Sequence, residues 1–247
     1  MLIKYQITGS FSFKSENTMS KKNVLITGAT GNLGTAVCSA FVEAGYHVIG
    51  TVENENGDES HDMENIEFHG IDLTREEKVK SLFEKLKSKY SSLHAAICIA
   101  GGFGMSNISN TSKKDIEYQF SLNFLTAFNT AKYAYEWMKQ EKFGRIILIG
   151  SKPALDGGGA EVLPYAIAKG AVIQLADILN ETGPKNGIIT SVVAPGIIDT
   201  PPNRDAMSGA NFEDWVTPEA IAGNILHLVS KEANALRQPV LRLYNNS

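Results

Sequence analysis

The sequence predicts an α/β protein: a single doubly wound parallel sheet of about seven strands with helices on both faces. Two observations predict this class. Apolar runs of strand length alternate with longer segments of helical period, which is the order of repeated βαβ units. These runs are continuously apolar rather than alternating, as strands are when helices cover both faces of a sheet. A length of 247 residues is ordinary for one such domain.

The strands and helices follow one another in a regular order. The predicted strands are NVLITG (23–28), YHVIGTV (46–52), IEFHGID (66–72), HAAICIAGG (94–102), GRIILIGS (144–151), GIITSVVAPG (187–196) and PVLRLY (239–244). Between them lie segments of helical period at about 32–44, 74–90, 113–139, 163–180 and 218–230. Each helical segment is interpreted as a right-handed crossover between parallel strands.

Residues 1–20 precede this alternation and are predicted to be an N-terminal extension, so that the domain itself spans 21–247. The alternation in LIKYQITGSFSF (2–13) fits an extra hairpin or edge strand, and disorder is the alternative. Because the regular order begins only at Asn23, we expect the extension to be an appendage rather than part of the core.

The composition excludes several classes of function. The net charge is -4, with 23 Lys and Arg against 27 Asp and Glu, so the basic excess of a nucleic-acid-binding protein is absent. No polybasic run favours a membrane surface, and no apolar run approaches the roughly 18 residues of a membrane-spanning helix. The sequence also lacks the apolar core of a signal peptide, which predicts a cytoplasmic protein whose partner is a small molecule.

The cysteines and histidines show no metal or disulfide pattern. Cys38 and Cys98 lie far apart inside apolar stretches and are interpreted as buried thiols. The five histidines, at positions 47, 61, 69, 94 and 227, lack the spacing of metal ligands. We therefore predict no metal site.

A glycine-rich turn, TGATGNLG (27–34), follows the first strand and opens the first helix. Gly28, Gly31 and Gly34 are spaced three apart, which differs from the common G-x-G-x-x-G pattern. Glycines here allow a tight turn and a close approach to a pyrophosphate, whose charge the N-terminus of the helix stabilises. With a strand before it and a helix after it, the turn predicts a dinucleotide site.

Two acidic residues are candidates for the adenosine end of that site. Glu53 lies 19 residues after Gly34, near the end of the second strand, where a carboxylate accepts hydrogen bonds from the ribose. The alternatives are a loop carboxylate, or Val52 as the strand-end position. No Lys or Arg stands nearby to bind a 2′-phosphate, which favours NAD slightly over NADP. In TREE, Thr74 and Glu77 predict a capping box, which leaves Asp72 as either a turn acceptor or an adenine-edge ligand.

Four polar residues are candidates for chemistry. Tyr165 and Lys169 are one helical turn apart in PYAIAKGAV (164–172), so both project from one face, and the ammonium can lower the pKa of the phenol. Ser151 follows the fifth strand at the carboxyl edge of the sheet, where ligands collect. Asn123 lies inside a long predicted helix, where asparagine is a mediocre helix former. A serine hydrolase is disfavoured because IGSKP lacks the G-x-S-x-G turn.

In the order and spacing of these motifs the chain resembles the short-chain dehydrogenase/reductase family, from about Val24 to Tyr244. The resemblance implies a Rossmann fold, an NAD(P)-dependent oxidoreductase and a homodimer or homotetramer formed through helices 113–139 and 163–180. It implies Tyr165 as general acid/base, Lys169 as its partner and ribose ligand, Ser151 as carbonyl orienter and Asn123 as organiser of a proton relay. The glycine-rich turn and the family resemblance together imply a set of cofactor ligands. They are Gly28, Thr30, Gly31, Asn32, Leu33, Gly34, Glu53, Asp72, Leu73, Ala100, Gly101, Gly102, Tyr165, Lys169, Pro195, Gly196, Ile198 and Thr200.

Within that family the chain is most similar to the dihydropteridine reductase-like members, through KPALDGGGAEVLPYAIAKGAVIQL (152–175) and DTPPNRDAMSGANFEDWVTP (199–218). This implies a quinonoid dihydropterin substrate, with a simple ketone or 3-oxoacyl compound as the alternative. CIAG (98–101) stands where the family usually has Asn-Asn-Ala-Gly, so amide support of the central sheet is missing. A non-catalytic dinucleotide sensor is a competing class, which the complete set of four reactive residues disfavours.

The polar segment 199–217, which contains Phe212 and Trp215, is predicted to be a substrate lid. The alternative is a fixed surface loop in which Trp215 packs inward.

Overall fold

The computed structural model describes residues 22–53, 65–237 and 240–247. Within these ranges seven strands form one sheet, and every neighbouring pair is parallel. The strands are β1 (Asn23–Thr27), β2 (His47–Val52), β3 (Ile66–Gly70), β4 (Ala95–Cys98), β5 (Gly144–Ile149), β6 (Ile188–Pro195) and β7 (Val240–Leu243). The predicted α/β class with about seven parallel strands is confirmed.

The helices lie on both faces of the sheet. They are α1 (Asn32–Glu43), α2 (Glu76–Lys89), α3 (Lys113–Phe120), α4 (Thr126–Glu141), α5 (Leu163–Thr182), α6 (Pro201–Ala206) and α7 (Pro218–Val229). One core cluster packs α1 and α7 on one face, and the other packs α2, α4 and α5 on the opposite face. Every residue of β1, β4, β5 and β6 is therefore buried, whereas the two edge strands, β3 and β7, are only partly buried.

The order of the strands across the sheet fixes where a ligand binds. That order is β3-β2-β1-β4-β5-β6-β7, so the direction of winding reverses between β1 and β4. In open α/β sheets a crevice forms outside the carboxyl ends of the strands at this reversal. The glycine turn follows β1 and the AGG sequence follows β4, which brings both predicted cofactor segments to the crevice.

Two predicted local features differ from the structure. Thr74 does not cap α2, which begins at Glu76 after Arg75 and has no side-chain cap. Instead the backbone N–H and hydroxyl of Thr74 both donate to Asp72 Oδ1, at 2.9 and 2.6 Å. The capping box is wrong because the carboxylate of Asp72, two residues upstream, accepts from the Thr74 N–H that Glu77 would have bonded and also accepts from the Thr74 hydroxyl. The predicted helix 113–139 is interrupted by a π-helical turn, Ser121–Leu125, between α3 and α4.

The predicted N-terminal extension, 1–20, lies outside the described residues, as does the acidic stretch after Glu53. Cys38 and Cys98 are free and buried, as the sequence predicted. Among the helices of the described ranges, none is long and apolar enough to cross a membrane. The same residues contain no group of three or more His, Cys, Asp or Glu placed to hold a metal ion.

Candidate active site

A cavity of about 560 Å³ opens at the reversal of the strand order. Its walls come from the segments that follow β1, β2, β3 and β4, and from the segment after β6. The predicted cofactor ligands that line it are Gly28, Thr30, Gly31, Asn32, Leu33, Gly34, Glu53, Asp72, Leu73, Ala100, Gly101, Ile198 and Thr200. A dinucleotide-sized crevice is therefore built from the segments that the sequence singled out.

The glycine turn needs its glycines for two reasons. Gly28 has a φ of 65°, in the left-handed region that side chains disfavour. A Cβ on Gly34 would overlap the carbonyl oxygen of Gly28, so the first turn of α1 can pack against the turn only without a side chain. Gly31 is the N-cap residue of α1, and no side chain accepts hydrogen bonds from the first N–H groups of the helix. These N–H groups are therefore open at the cavity wall. This cradle fits a pyrophosphate.

The acidic candidates lie on the part of the cavity wall that follows β2 and β3. Glu53 and Asp72 both line it. The pKa of Asp72 lies below its usual range, first because the Thr74 hydroxyl donates to it, so the carboxylate stays ionised at neutral pH. The amide of Asn129, on α4, donates to the carbonyl oxygens of Leu73 and Thr74 at 2.9 and 3.3 Å. Sequence reasoning missed Asn129, whose two hydrogen bonds hold this part of the wall against α4.

A second residue that the sequence reasoning missed joins β1 to the turn after β4. The hydroxyl of Thr27 accepts hydrogen bonds from the backbone N–H groups of Ile99 and Ala100, at 2.9 and 3.0 Å. The amide pair that the family usually places here is absent from CIAG. In this chain the buried threonine adds a side-chain link from β1 to the turn after β4, beyond the pairing of the two strands.

The candidate proton donor, Tyr165, lies in the first turn of α5 and is partly buried. Burial raises the pKa of its phenol, and the hydroxyl of Ser151 opposes that rise. Ser151 is 3% exposed, and its Oγ lies beside the phenol without closing a hydrogen bond to any residue that the structure describes. A buried hydroxyl with spare capacity is available to a substrate oxygen at this point.

Lys169 lies one turn further along α5 and is 5% exposed. Its Nζ donates to the carbonyl oxygen of Ile149 at 2.9 Å and lies 5.9 Å from the centre of the Tyr165 ring. Burial lowers the pKa of the ammonium to about 8. In this structure the ammonium faces a backbone carbonyl and burial is the larger effect on the pKa of Tyr165, so the pairing of Lys169 with the phenol stays a prediction.

Asn123 lies in the π-helical turn and is 1% exposed. Its amide donates to the carbonyl of Gly102 at 2.9 Å and to Gln119 Oε1 at 2.8 Å, and its Oδ1 accepts from the N–H of Gly102 at 3.2 Å. A Cβ on Gly101 would lie 2.6 Å from Asn123 Oδ1 and 3.5 Å from Lys169 Nζ. Two of the predicted catalytic side chains therefore converge beside Gly101, on the cavity wall.

Several predicted residues lie off the wall of this cavity. Gly102, Tyr165, Lys169, Pro195 and Gly196 are not among its lining residues, although Tyr165 contacts the lining residue Phe103 with ring centres 5.2 Å apart. Pro195 and Gly196 are at the end of β6, where the N–H of Gly196 donates to Leu243 at 2.9 Å. Phe103, 65% exposed, is a lining residue that the sequence analysis missed.

Comparison with known proteins identifies the family. The chain matches the short chain dehydrogenase family over residues 22–211. The chain belongs to this family. Dihydropteridine reductase of Dictyostelium discoideum is 30% identical over 204 residues, which cover 81% of this chain and 84% of that protein. The 3-oxoacyl-acyl-carrier-protein reductase FabG of Escherichia coli (strain K12) is 28% identical over 186 residues, covering 74% and 76%.

A solved structure of a similar protein has the same fold. ElxO with NADP bound gives a TM-score of 0.83 at 29% identity and covers 90% of this chain and 97% of that one. The resemblance stated from the motifs is thereby confirmed, and the chain is an NAD(P)-dependent oxidoreductase of the short-chain dehydrogenase family.

The segment 199–217 of this short-chain dehydrogenase forms part of the cavity mouth through Thr200 and Asn203. Its two ends are joined, because Asp199 N–H donates to Val216 at 2.8 Å. Trp215 is 4% exposed and packs inward, as in the alternative to a free lid. Opening and closing of this segment remains a proposal.

Gly34→Ala is expected to disrupt the turn. The added methyl would overlap the carbonyl of Gly28, and a shift of the turn or of α1 costs about 1–3 kcal/mol and misplaces the N–H groups at the helix start. We expect a lower free energy of unfolding in urea and a loss of dinucleotide binding by fluorescence. Gly223→Ala in α7 is the control, since nothing lies within 4 Å of its Cβ. Unchanged dinucleotide affinity in Gly34→Ala would contradict the cradle.

Proposed function

We propose that this short-chain dehydrogenase reduces a quinonoid dihydropterin with NADH, using Tyr165 as general acid. The observation that carries the proposal is a cluster of side chains behind the cavity wall: Asn123 and Lys169 approach the lining residue Gly101, and Tyr165, with Ser151 beside it, contacts the lining residue Phe103. The pyrophosphate cradle lies on the wall of the same cavity. The reduced dinucleotide supplies a hydride when bound. The chain itself must then hold the acceptor, exclude water and deliver one proton.

Tyr165 suits proton delivery because its hydroxyl is protonated in the resting site. A phenol is a weak acid near neutral pH, and burial here raises its pKa further. A nearby cation favours the phenolate that remains after the proton has left. Lys169 is the cation on the same face of α5, and we propose that it turns from the Ile149 carbonyl toward the phenol and the ribose when the cofactor binds.

Asn123 organises the path by which Tyr165 regains a proton. Its amide is held by Gly102 and Gln119, which fixes the position of Oδ1 beside Gly101, the glycine that Lys169 Nζ also approaches. We propose that a water molecule, which accepts a hydrogen bond from Lys169 and donates one to Asn123 Oδ1, connects the phenol to solvent. A π-helical turn is an unusual local structure that often occurs at functional sites, and here it carries Asn123.

NADH rather than NADPH is proposed on charge grounds. Glu53 lines the cavity at the end of β2, the position where a carboxylate accepts from ribose hydroxyls. A 2′-phosphate there would meet a like charge, which is unfavourable. The similar ElxO structure contains NADP, so the preference is tested by comparing NADH with NADPH at equal concentration.

The pterin proposal rests on two further observations. The chain is similar to a dihydropteridine reductase over most of its length. Phe103, beside Tyr165, is largely exposed at the cavity mouth and offers an apolar face to a flat ring. A second candidate, reduction of a ketone or 3-oxoacyl compound, is favoured by the spare hydroxyl of Ser151, because a carbonyl oxygen needs such a donor.

Ser151→Ala discriminates between the two substrates. A ketone reductase that loses its oxyanion donor is expected to slow by about 10²-fold, whereas a quinonoid pterin, which needs little carbonyl orientation, keeps most of its rate. The measurement is the rate of NADH oxidation with each substrate. Ser191→Ala is a matched control, since it removes another buried hydroxyl without a partner among the described residues, inside β6. No pterin reduction by the parent, with ketone reduction that collapses in Ser151→Ala, would overturn the pterin proposal.

A homodimer or homotetramer is proposed through α3, α4 and α5. Tyr118 on α3, and Ile167 and Ile178 on α5, are exposed apolar side chains that another copy would cover. We expect sedimentation at micromolar concentration to show an oligomer. A monomer under those conditions would contradict the proposal.

A further inference from the structure

A second, smaller cavity lies at the amino ends of the strands, whereas the active site lies at their carboxyl ends. Its volume is about 210 Å³, and it opens beside the first residues of β5 and β6. Ser151 follows the far end of β5, so the two cavities are separated by the length of that strand. Three cations, Lys142, Arg145 and Arg237, line the small cavity, and no acidic side chain does so among the residues described.

Arg145 is the buried member of this group, 3% exposed. Its guanidinium donates to the carbonyl oxygens of Gly144 at 2.7 Å and Gly187 at 3.3 Å, and to the side chain of Asn234. None of these partners carries a charge, and Nε has no acceptor within the described ranges. A buried charge is costly unless it is paired, so an anion bound to the Arg145 guanidinium would be stabilising.

The surrounding charges do not neutralise Arg145. Arg237 donates to the backbone oxygens of Asn234 at 2.6 Å and Leu236 at 2.8 Å rather than to a carboxylate. Burial, and then Arg237, lower the pKa of Arg145. Burial, followed by the charges of Lys22 and Arg145, also lowers the pKa of nearby His94 to about 4. A protein of net charge -4 therefore has a locally positive site here.

We propose that this cavity binds a phosphoryl oxyanion on Arg145, Arg237 and Lys142. The forked guanidinium matches the oxygens of a phosphate, and the bonds are charge-assisted. Phe143 lies against Arg145, with the guanidinium carbon 4.7 Å from the ring centre, which holds the plane of the fork. The volume is below the roughly 300 Å³ of the smallest drug-sized sites, so a small anion fits the cavity best. Either inorganic phosphate or the phosphoryl group of a monoester supplies this chemistry.

The test is calorimetric titration of the full chain, saturated with NADH and kept in a phosphate-free buffer. Saturation blocks the pyrophosphate cradle, so that phosphate binding reports the second cavity. We expect inorganic phosphate to bind with a dissociation constant of about 1 mM or tighter, and Arg237→Ala to weaken it about tenfold. Lys231→Ala, which removes one exposed positive charge outside the cavity, is the matched control.

Lys142→Asn is a second variant, chosen because Lys142 has a φ of 55° and asparagine tolerates this left-handed conformation. It should also weaken phosphate binding. A parallel titration with glycerol phosphate distinguishes the source: tighter binding of the ester indicates a monoester ligand, and tighter binding of inorganic phosphate indicates the free ion. No heat from either compound, or equal affinity in the parent and both cavity variants, would overturn the proposal.

Discussion

Tyr165→Phe is expected to abolish turnover while dinucleotide binding is preserved. Only the hydroxyl is lost, and the ring remains to pack against Phe103. A positioned general acid contributes about 10²–10⁴-fold to rate, so we expect a loss of at least that order. The measurement pairs steady-state NADH oxidation with a fluorescence titration of NADH binding.

Tyr46→Phe is the control for this change, because Tyr46 directly precedes β2, away from the carboxyl ends of the strands, and does not line the cavity. It should retain the parental rate. If Tyr165→Phe turned over within about tenfold of the parent, the assignment of Tyr165 as the acid would fail.

Lys169→Met is expected to damage both catalysis and cofactor affinity. Its ammonium is proposed to serve the phenol in the reaction and the ribose in binding, and methionine fills similar space without charge. A loss of about tenfold or more in each of kcat and NADH affinity is expected, since a hydrogen bond from a charged group contributes about 1.5–3 kcal/mol. Lys185→Met, at an exposed position, is the control. An effect on neither quantity would refute the pairing.

Lys169 also predicts how stability depends on pH. Burial lowers its pKa from 10.5 to about 8, so between these values the unfolded chain binds more protons than the folded one. The contribution of Lys169 to the free energy of unfolding therefore grows as pH rises from about 8 toward 10.5 and is lost as pH falls through 8. The measurement is the free energy of unfolding of Lys169→Met minus that of the parent, taken from urea unfolding. This difference should be about 3 kcal/mol larger near pH 7 than near pH 10.5.

The fold could be predicted because its signals are local and repeated. Apolar runs separated by helical segments specify parallel strands, and the buried pattern of β1, β4, β5 and β6 is the physical reason those runs lack alternation. The glycine turn was also legible, because Gly28 and Gly34 meet steric demands that other residues cannot.

Other features depend on tertiary contacts that no local pattern reveals. The bonds from Thr27 to the turn after β4 and from Asn129 to Leu73 join residues 56 to 73 positions apart in sequence. Thr74 carried a capping signal, but Asp72 took its donors. The π-helical turn at Asn123 and the inward packing of Trp215 likewise follow from neighbouring elements rather than from propensity. Phe103 had one signal in the sequence, an aromatic residue directly after AGG.

Proton delivery by Tyr165, coupled to hydride transfer, is tested most directly by a single-turnover experiment. NADH bound to the parent and to Tyr165→Phe is mixed with quinonoid dihydropterin and, separately, with a ketone, and the nicotinamide absorbance is followed. We expect rapid loss of absorbance in the parent with at least one substrate, a slower loss when C4 of NADH carries deuterium, and almost none in Tyr165→Phe. Stable absorbance in the parent with both substrates, or equal rates in parent and variant, would contradict the proposed chemistry.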